Sequence, residues 1–330
     1  MSTPNANDPT VARFGEDLTA LTGPLGASAR IGLAVSGGPD SLALLLLAQA
    51  ALPGRIGTAT VDHGLRKEAA EEAAMVGRLC RKLGVPHMTL TKDRSDGKRT
   101  GNVQAKARML RYRLLGNWAN EEGLDFIATA HHRDDVAESF LMRALRGSGV
   151  GGLARMSGCG PIPYSPDAKA RLLRPLLNWN RAELAKIVEE AGLVAADDPS
   201  NADPRYDRVR VRELLRREPL LEAEALAHAA RNLADAEGAL AWAAELGWRS
   251  RVEREGAAEI QVDAADLPVE IQRRLVARAI CTLSPNWDGD GLDRLFAQII
   301  AGGTATLAGV KASGGEMWCF GIAPAHRGHH

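Results

Sequence analysis

A chain of 330 residues, 45% hydrophobic and 25% charged, is long enough for two packed domains and ordinary for a globular protein. Its 41 basic and 41 acidic residues cancel, which excludes a global field that draws in a polyanion; any nucleic-acid contact must rest on local basic stretches. Four dispersed cysteines without a C-x-x-C pair argue against a zinc ribbon and fit a reducing compartment.

The N-terminus lacks the basic-then-apolar pattern of a signal peptide, and the apolar run at 42–48 is too short to span a bilayer. A cytoplasmic protein with no membrane contact is expected. Residues 10–22 read as a short amphipathic helix. Ile31 to Val35 then form an apolar run of strand length, and a helix over 39–52 opens with Pro39 in its first turn. Between them, Ser36-Gly37-Gly38 has no bulky side chain to block a ligand. Backbone N–H groups there, with the positive dipole end of the helix that follows, make a phosphate site. It is not a Walker loop, because the G-x-x-x-x-G-K-[ST] spacing and its lysine are absent.

Arg55 to Val61 is a second strand, and Asp62 and His63 at its end are placed for nucleotide contact. A helix over 67–83, a strand over 85–91 and a polar loop over 92–101 follow. On the helix over 102–120, Gln104, Arg108 and Arg111 share one face, and Val103, Ala107, Leu110 and Leu114 form the stripe expected to pack on the sheet. Phe126 to Ala130 is a fourth strand and His131 to Arg146 a helix, with Val136, Phe140 and Ala144 as its buried stripe. Strands alternating with helices predict an α/β fold, a doubly wound, mainly parallel sheet with ligands beyond the carboxyl ends of its strands.

The cluster His131-His132-Arg133-Asp134-Asp135 with Glu138 opens a helix at that edge. It lacks histidines at i and i+4, so carboxylates holding Mg²⁺ on ATP suit it better than a transition metal. Asp134 also reads as a helix-capping acid. Leu172 to Leu177 is a candidate fifth strand, 181–191 a helix, and 197–204 a turn-rich loop. Beyond a boundary near 215 the chain reads as mostly helical, ending in two short strands around Gly314-Gly315. The expected domains are therefore 1–215 and 216–330, the second a smaller, mostly helical unit with a terminal hairpin. Two basic stretches stand out: six basic residues and no acid over 98–113, and six arginines against Asp207 and Glu213 over 205–217. A solvated face and a nucleic-acid contact both fit them.

Taken together, Ser36 to Ser41, Val61 to Arg66, Asn102 to Tyr112, Ala130 to Asp135 with Glu138, Arg146 to Gly149, Arg174 to Leu177, and Asp198 to Asn201 with Tyr206, Arg208 and Arg212 resemble the tRNA(Ile)-lysidine synthetases, a branch of the PP-loop ATP pyrophosphatases. The resemblance covers roughly 30–212. It departs at Val136, Ser139 and Val209, where the family usually has Gln, Thr and Asn. It implies ATP and Mg²⁺ as cofactors, isoleucine tRNA with a CAU anticodon and free L-lysine as substrates, and leaves a homodimer open. By the same resemblance Ser36, Gly37, Gly38, Pro39, Asp40, Ser41, Asp62 and His63 contact ATP, and Asp40 and Asp135 face Mg²⁺. Arg108 meets the α-phosphate, and His131, His132 and Asp135 hold lysine. Arg205, Arg208 and Arg212, with the C-terminal domain, would position the tRNA by its backbone. A thiolase of the same loop class, which usually carries paired cysteines, and a non-catalytic ATP-binding module are the rival readings.

Overall fold

The computed structural model describes residues 3–62, 68–91, 103–196, 207–256 and 258–324. In chain order they form α1 (Pro9–Thr22), β1 (Ile31–Ala34), α2 (Pro39–Ala51), β2 (Ile56–Asp62), α3 (Glu68–Leu83), β3 (His87–Thr91), α4 (Val103–Glu121), β4 (Phe126–Ala128), α5 (Arg133–Ala144), α6 (Val150–Leu153), β5 (Cys159–Pro161), β6 (Arg171–Leu173) and α7 (Arg181–Glu190). After these come α8 (Asp207–Arg217), α9 (Ala223–Arg251), β7 (Val252–Glu255), β8 (Glu259–Val262), α10 (Val269–Leu283), α11 (Leu292–Ile300), β9 (Thr304–Leu307), β10 (Val310–Ser313) and β11 (Trp318–Ile322).

The first six strands make one sheet in the order β3-β2-β1-β4-β6-β5, parallel except for the last pairing of β5 on β6. The strand order reverses at β1, which lies between β2 and β4, so the crevice beyond the ends of β1 and β4 is the topological switch point where such sheets bind ligands. Both faces are covered. On one side α1, α2, α3 and α7 build a core in which Leu42 to Ala48 are wholly buried, because α2 is apolar all round. On the other, α4 contributes Tyr112, Leu115, Trp118 and Ala119. Leu110 and Ala107 are only half-buried, so the face of α4 that carries the core is rotated from the expected stripe toward its bulkier aromatic residues. Gly32 on β1 is what admits Trp118, whose Cζ3 would lie 2.5 Å from a β-carbon at that position. On α5, Val136 is buried and Phe140 packs beside it, while Ala144 is exposed.

The chain divides into two compact units, Met1–Ala234 and Asp235–His330, a division inside α9 where one near 215 was expected. Packing explains the position: Ala227 and Ala230 in the first half of α9 cluster with Val136, whereas Trp248 near its end belongs to the C-terminal core. That second unit has helices, as expected, and the hairpin of β10 and β11 pairs Ser313 with Cys319 and Val310 with Ile322. The hairpin is part of a five-stranded antiparallel sheet, β7-β8-β11-β10-β9, over which α10 and α11 pack Leu275, Ile280, Phe296 and Ile299. No helix among the described residues is long and apolar enough to cross a membrane.

Candidate active site

The phosphate-loop candidate leaves the sheet directly beyond β1. Val35 still donates to the Ala59 carbonyl at 2.9 Å, and the chain then turns at Gly37 with φ +92°, a left-handed conformation that favours glycine. Ser41, buried in the first turn of α2, closes the loop. Its Oγ accepts from the N–H groups of Ser36 at 3.2 Å and Gly37 at 3.1 Å and donates to the Gly38 carbonyl at 2.9 Å. Two amides expected to face a ligand are therefore turned inward. Pro39 has no N–H, and those of Asp40 and Ser41, in the first turn, have no helix carbonyl behind them; these remain for an anion at the positive end of α2.

The second half of the site comes from beyond β4. His132 is the N-cap of α5 and is almost wholly enclosed, its side chain 4% exposed. Its Nε2 lies 3.5 Å from Asp40 Oδ2 and 3.6 Å from Asp135 Oδ2, and its Nδ1 lies 3.3 Å from Asp134 Oδ2. Burial by itself would lower its pKa, but the three carboxylates around it reverse that and push it up to about 10. His132 is thus an imidazolium that draws the phosphate loop and α5 together. Its neighbour His131 is the opposite case. Burial, with the charges of Arg174, Arg208 and Arg108, outweighs Asp135 and brings its pKa down to about 3. It is neutral, and its Nδ1 shares a 2.9 Å hydrogen bond with Thr129 Oγ1.

Asp135 accepts from the His132 N–H at 3.1 Å and from Arg208 Nη2 at 2.5 Å. Burial raises its carboxyl, but His132 and Arg208 outweigh that and hold it below the usual carboxylate range. Arg208 also donates through Nε to Glu138 at 2.6 Å, and Arg212 grips the same carboxylate at 2.6 and 3.2 Å. Glu138 is 2% exposed, so the two arginines neutralise a buried charge. Their guanidinium groups, expected to reach for RNA, pair in the structure with acids of α5. Asp134 accepts from the Arg181 N–H at 3.1 Å, tying α5 to the start of α7.

Arg108 is exposed on α4, stacked 5.0 Å from the Tyr112 ring. Asp62 ends β2 and is half-buried. His63, Arg205 and the loop over 197–204 lie outside the described residues. The structure also brings in residues that the sequence reading did not place in the site. Thr129 orients His131, and Arg174 is 7% exposed, its Nη1 donating to the Ser157 carbonyl at 2.6 Å. Arg174 stands in the R-P-L-L motif, read from the sequence as strand and as part of the family resemblance but given no role in the site.

Among the described residues no group of three His, Cys, Asp or Glu side chains could hold a metal ion alone. Asp40 Oδ1, however, is buried and has no hydrogen-bond partner. One free carboxylate oxygen beside a phosphate site suits Mg²⁺, which takes one or two carboxylates and completes its shell with phosphate oxygens and water.

The PP-loop domain family matches residues 11–218. The chain is 43% identical to a tRNA(Ile)-lysidine synthase of Zymomonas mobilis, over 97% of this chain and 96% of that one. The chain belongs to the tRNA(Ile)-lysidine synthase family. A second family member, from Novosphingobium aromaticivorans, is 44% identical over 96% of this chain and 94% of its own. Outside the family, the fold resembles that of a U34-tRNA thiolase, NcsA from Methanococcus maripaludis, with a TM-score of 0.55, 18% identity, and coverage of 68% of this chain and 79% of that one. That likeness is one of fold alone. The family uses a PP-loop domain for ATP, which matches the position of the Ser36–Ser41 loop at the switch point.

Proposed function

We infer that the chain ligates free lysine onto C2 of the wobble cytidine of isoleucine tRNA with a CAU anticodon. An adenylated tRNA is the intermediate, and pyrophosphate and AMP are released. The observation that carries this reading is the meeting, at one sheet edge, of the Ser36–Ser41 loop with the His132-centred carboxylates.

In the first half-reaction the C2 oxygen of the cytidine attacks the α-phosphorus of ATP and pyrophosphate leaves. The first turn of α2 holds the departing phosphates. Asp40 offers its free oxygen to Mg²⁺, which when bound offsets the charge on the leaving group. Asp135, whose two oxygens each accept one hydrogen bond, from Arg208 and from the His132 amide, keeps lone pairs with which to join it. Arg108 compensates charge developing at the α-phosphate.

In the second half-reaction the ε-amine of lysine displaces AMP from C2. The amine has an ordinary pKa of about 10.4 and must arrive without its extra proton. Neither histidine is suited to take it. His132 already carries a proton, and His131, at about 3, is far too weak a base. Neutral His131 instead positions lysine by accepting or donating a hydrogen bond, and Asp135 faces an ammonium. The four cysteines are free thiols, which supports a reducing, cytoplasmic location.

The test is to incubate the purified chain with ATP, Mg²⁺, isoleucine tRNA transcript and lysine, then analyse the digested tRNA by mass. Lysidine at the wobble position is expected. Incorporation of ammonia or sulfur in place of lysine would defeat the assignment. ATP bound with no pyrophosphate released would leave only the binding-module reading.

A further inference from the structure

Arg174 is buried, and among the described residues no carboxylate lies within ion-pair distance of it. Its side chain makes one hydrogen bond, from Nη1 to the Ser157 carbonyl at 2.6 Å, and its Nε is enclosed with no partner. Arg208 and Arg212, by contrast, each have an acid of α5 against them. A buried charge left uncompensated is costly, and one backbone carbonyl does not answer it. Backbone pairing fixes where this charge stands. Ala128 of β4 and Leu173 of β6 are the last partners in register, and the Thr129 N–H donates to the Leu173 carbonyl at 3.0 Å. The Arg174 N–H donates to the Gly158 carbonyl on the other side at 2.8 Å. Thr129 and Arg174 are therefore neighbours, one residue beyond the paired strands, at the ligand edge of the sheet. Their side chains also share a face. Ile127 and Leu172 pack on the α4 side of the sheet and Ala128 and Leu173 on the other, so alternation returns Thr129 and Arg174 to the α4 side. Thr129 Oγ1 holds His131 Nδ1 at 2.9 Å, which brings the imidazole to the same corner. The phosphate loop leaves β1, two strands from β6, about 10 Å away at the usual strand spacing.

We propose that Arg174 binds the α-carboxylate of the free amino-acid substrate. The proposal rests on the lysine-ligating reading above and names the group that reads the acid end of lysine. A planar guanidinium with unused N–H groups fits a carboxylate through paired hydrogen bonds. A phosphate offers the same chemistry, but the anion site at the first turn of α2 lies across β4 from this corner. With Asp135 facing an ammonium and Arg174 facing the carboxylate, each charged end of the amino acid meets the opposite sign. A diamine or an amide of lysine would leave Arg174 without its anion, which is a basis for rejecting it.

The experiment compares the full wild-type chain with Arg174→Gln and Arg174→Lys, using lysine and lysinamide as alternative amines. Lysinamide keeps the ε-amine and lacks the carboxylate. The wild-type chain is expected to prefer lysine in kcat/KM by roughly 10–100-fold, the worth of a hydrogen bond to a charged group. Arg174→Gln should raise the KM for lysine by about that factor and leave the use of lysinamide unchanged, so that the preference disappears. Arg174→Lys should keep part of the preference. The KM for ATP in lysine-free adenylation, followed by pyrophosphate release, should stay as in the wild type. A folded Arg174→Gln that still prefers lysine as strongly would overturn the proposal. So would equal losses with both amines and a lowered melting temperature, the mark of a merely structural tie to Ser157. A defect confined to lysine-free adenylation would also overturn it and assign Arg174 to a phosphate. Where Arg174→Gln does not fold, the wild-type chain and Arg174→Lys decide: equal use of lysine and lysinamide by the wild type, or an undiminished preference in Arg174→Lys, defeats the proposal. A wild-type chain that forms no lysidine from lysine would instead defeat the functional reading, whatever Arg174 does.

Discussion

Arg208 and Asp135, 73 residues apart in sequence, meet at 2.5 Å. The same guanidinium reaches Glu138, and Arg212 completes the set from one helical turn further along α8. Four charged groups thus lock α8 to α5 directly behind the carboxylates of the site. Removing one cation leaves a nearly enclosed acid short of a partner, the costly way to break a buried pair.

Arg208→Met should therefore destabilise the fold by about 2–3 kcal/mol, a figure kept low because Arg208 is partly exposed and Arg212 still serves Glu138. Urea denaturation measures it. A double-mutant cycle with Glu138→Gln should show coupling, since the methionine costs less once the buried charge is gone. Additive losses would mean that the pair does not hold α8.

The phosphate loop gives a prediction of a different kind. Asp40→Asn should lower pyrophosphate release by roughly 10²–10³-fold, the usual loss for a group that offsets transition-state charge. Circular dichroism should change little, while the melting temperature should fall modestly, because the asparagine no longer offsets the His132 imidazolium 3.5 Å away. Near-normal turnover in this variant would remove Asp40 from the chemistry.

At Gly37 an added methyl group should be costly. The residue sits at φ +92°, and a β-carbon would meet Met75 Cε at 3.2 Å and Val76 Cγ2 at 3.4 Å. Gly37→Ala should lose about 1–3 kcal/mol and impair pyrophosphate release, since the loop cannot relax without releasing Ser41. Thermal melting and the release assay together check both halves.

His132 sets a pH window. Its folded pKa of about 10 lies above the ordinary 6.5, so its contribution to stability is complete below about pH 6.5 and falls away as pH rises toward 10. His131 works in the other direction: its folded pKa of about 3 means that stability is lost as pH drops below about 6.5, when the unfolded chain takes up the proton. In His132→Gln the decline in urea midpoint between pH 6.5 and 10 should flatten, while the acid limb persists. An unchanged alkaline limb would show that His132 is not the group responsible.

Asp135→Asn separates two roles for that acid. If Asp135 holds lysine, the KM for lysine rises while adenylation of tRNA without lysine persists. Failure of adenylation itself, partly restored by added Mg²⁺, would place Asp135 with the metal.

What could be read from the sequence was local. Ser36 to Ser41 spells out its own geometry, because an apolar strand, a glycine turn and a proline-led helix need no distant partner to form. The histidines and acids at 131–135 are legible for the same reason, as they follow a strand and open a helix at the ligand edge. The hairpin around Gly314-Gly315 belongs to this class too. What the chain could not reveal residue by residue was pairing over distance. β8 finds β11 across more than fifty intervening residues, so four-residue strands within helical surroundings carried too little local signal. Arg208 and Arg212 could equally have served solvent, RNA or a buried acid. Only the packing of α8 on α5 brought Glu138 within 2.6 Å and made it their partner, because the desolvation of that carboxylate is a property of the folded core and of no single stretch of sequence.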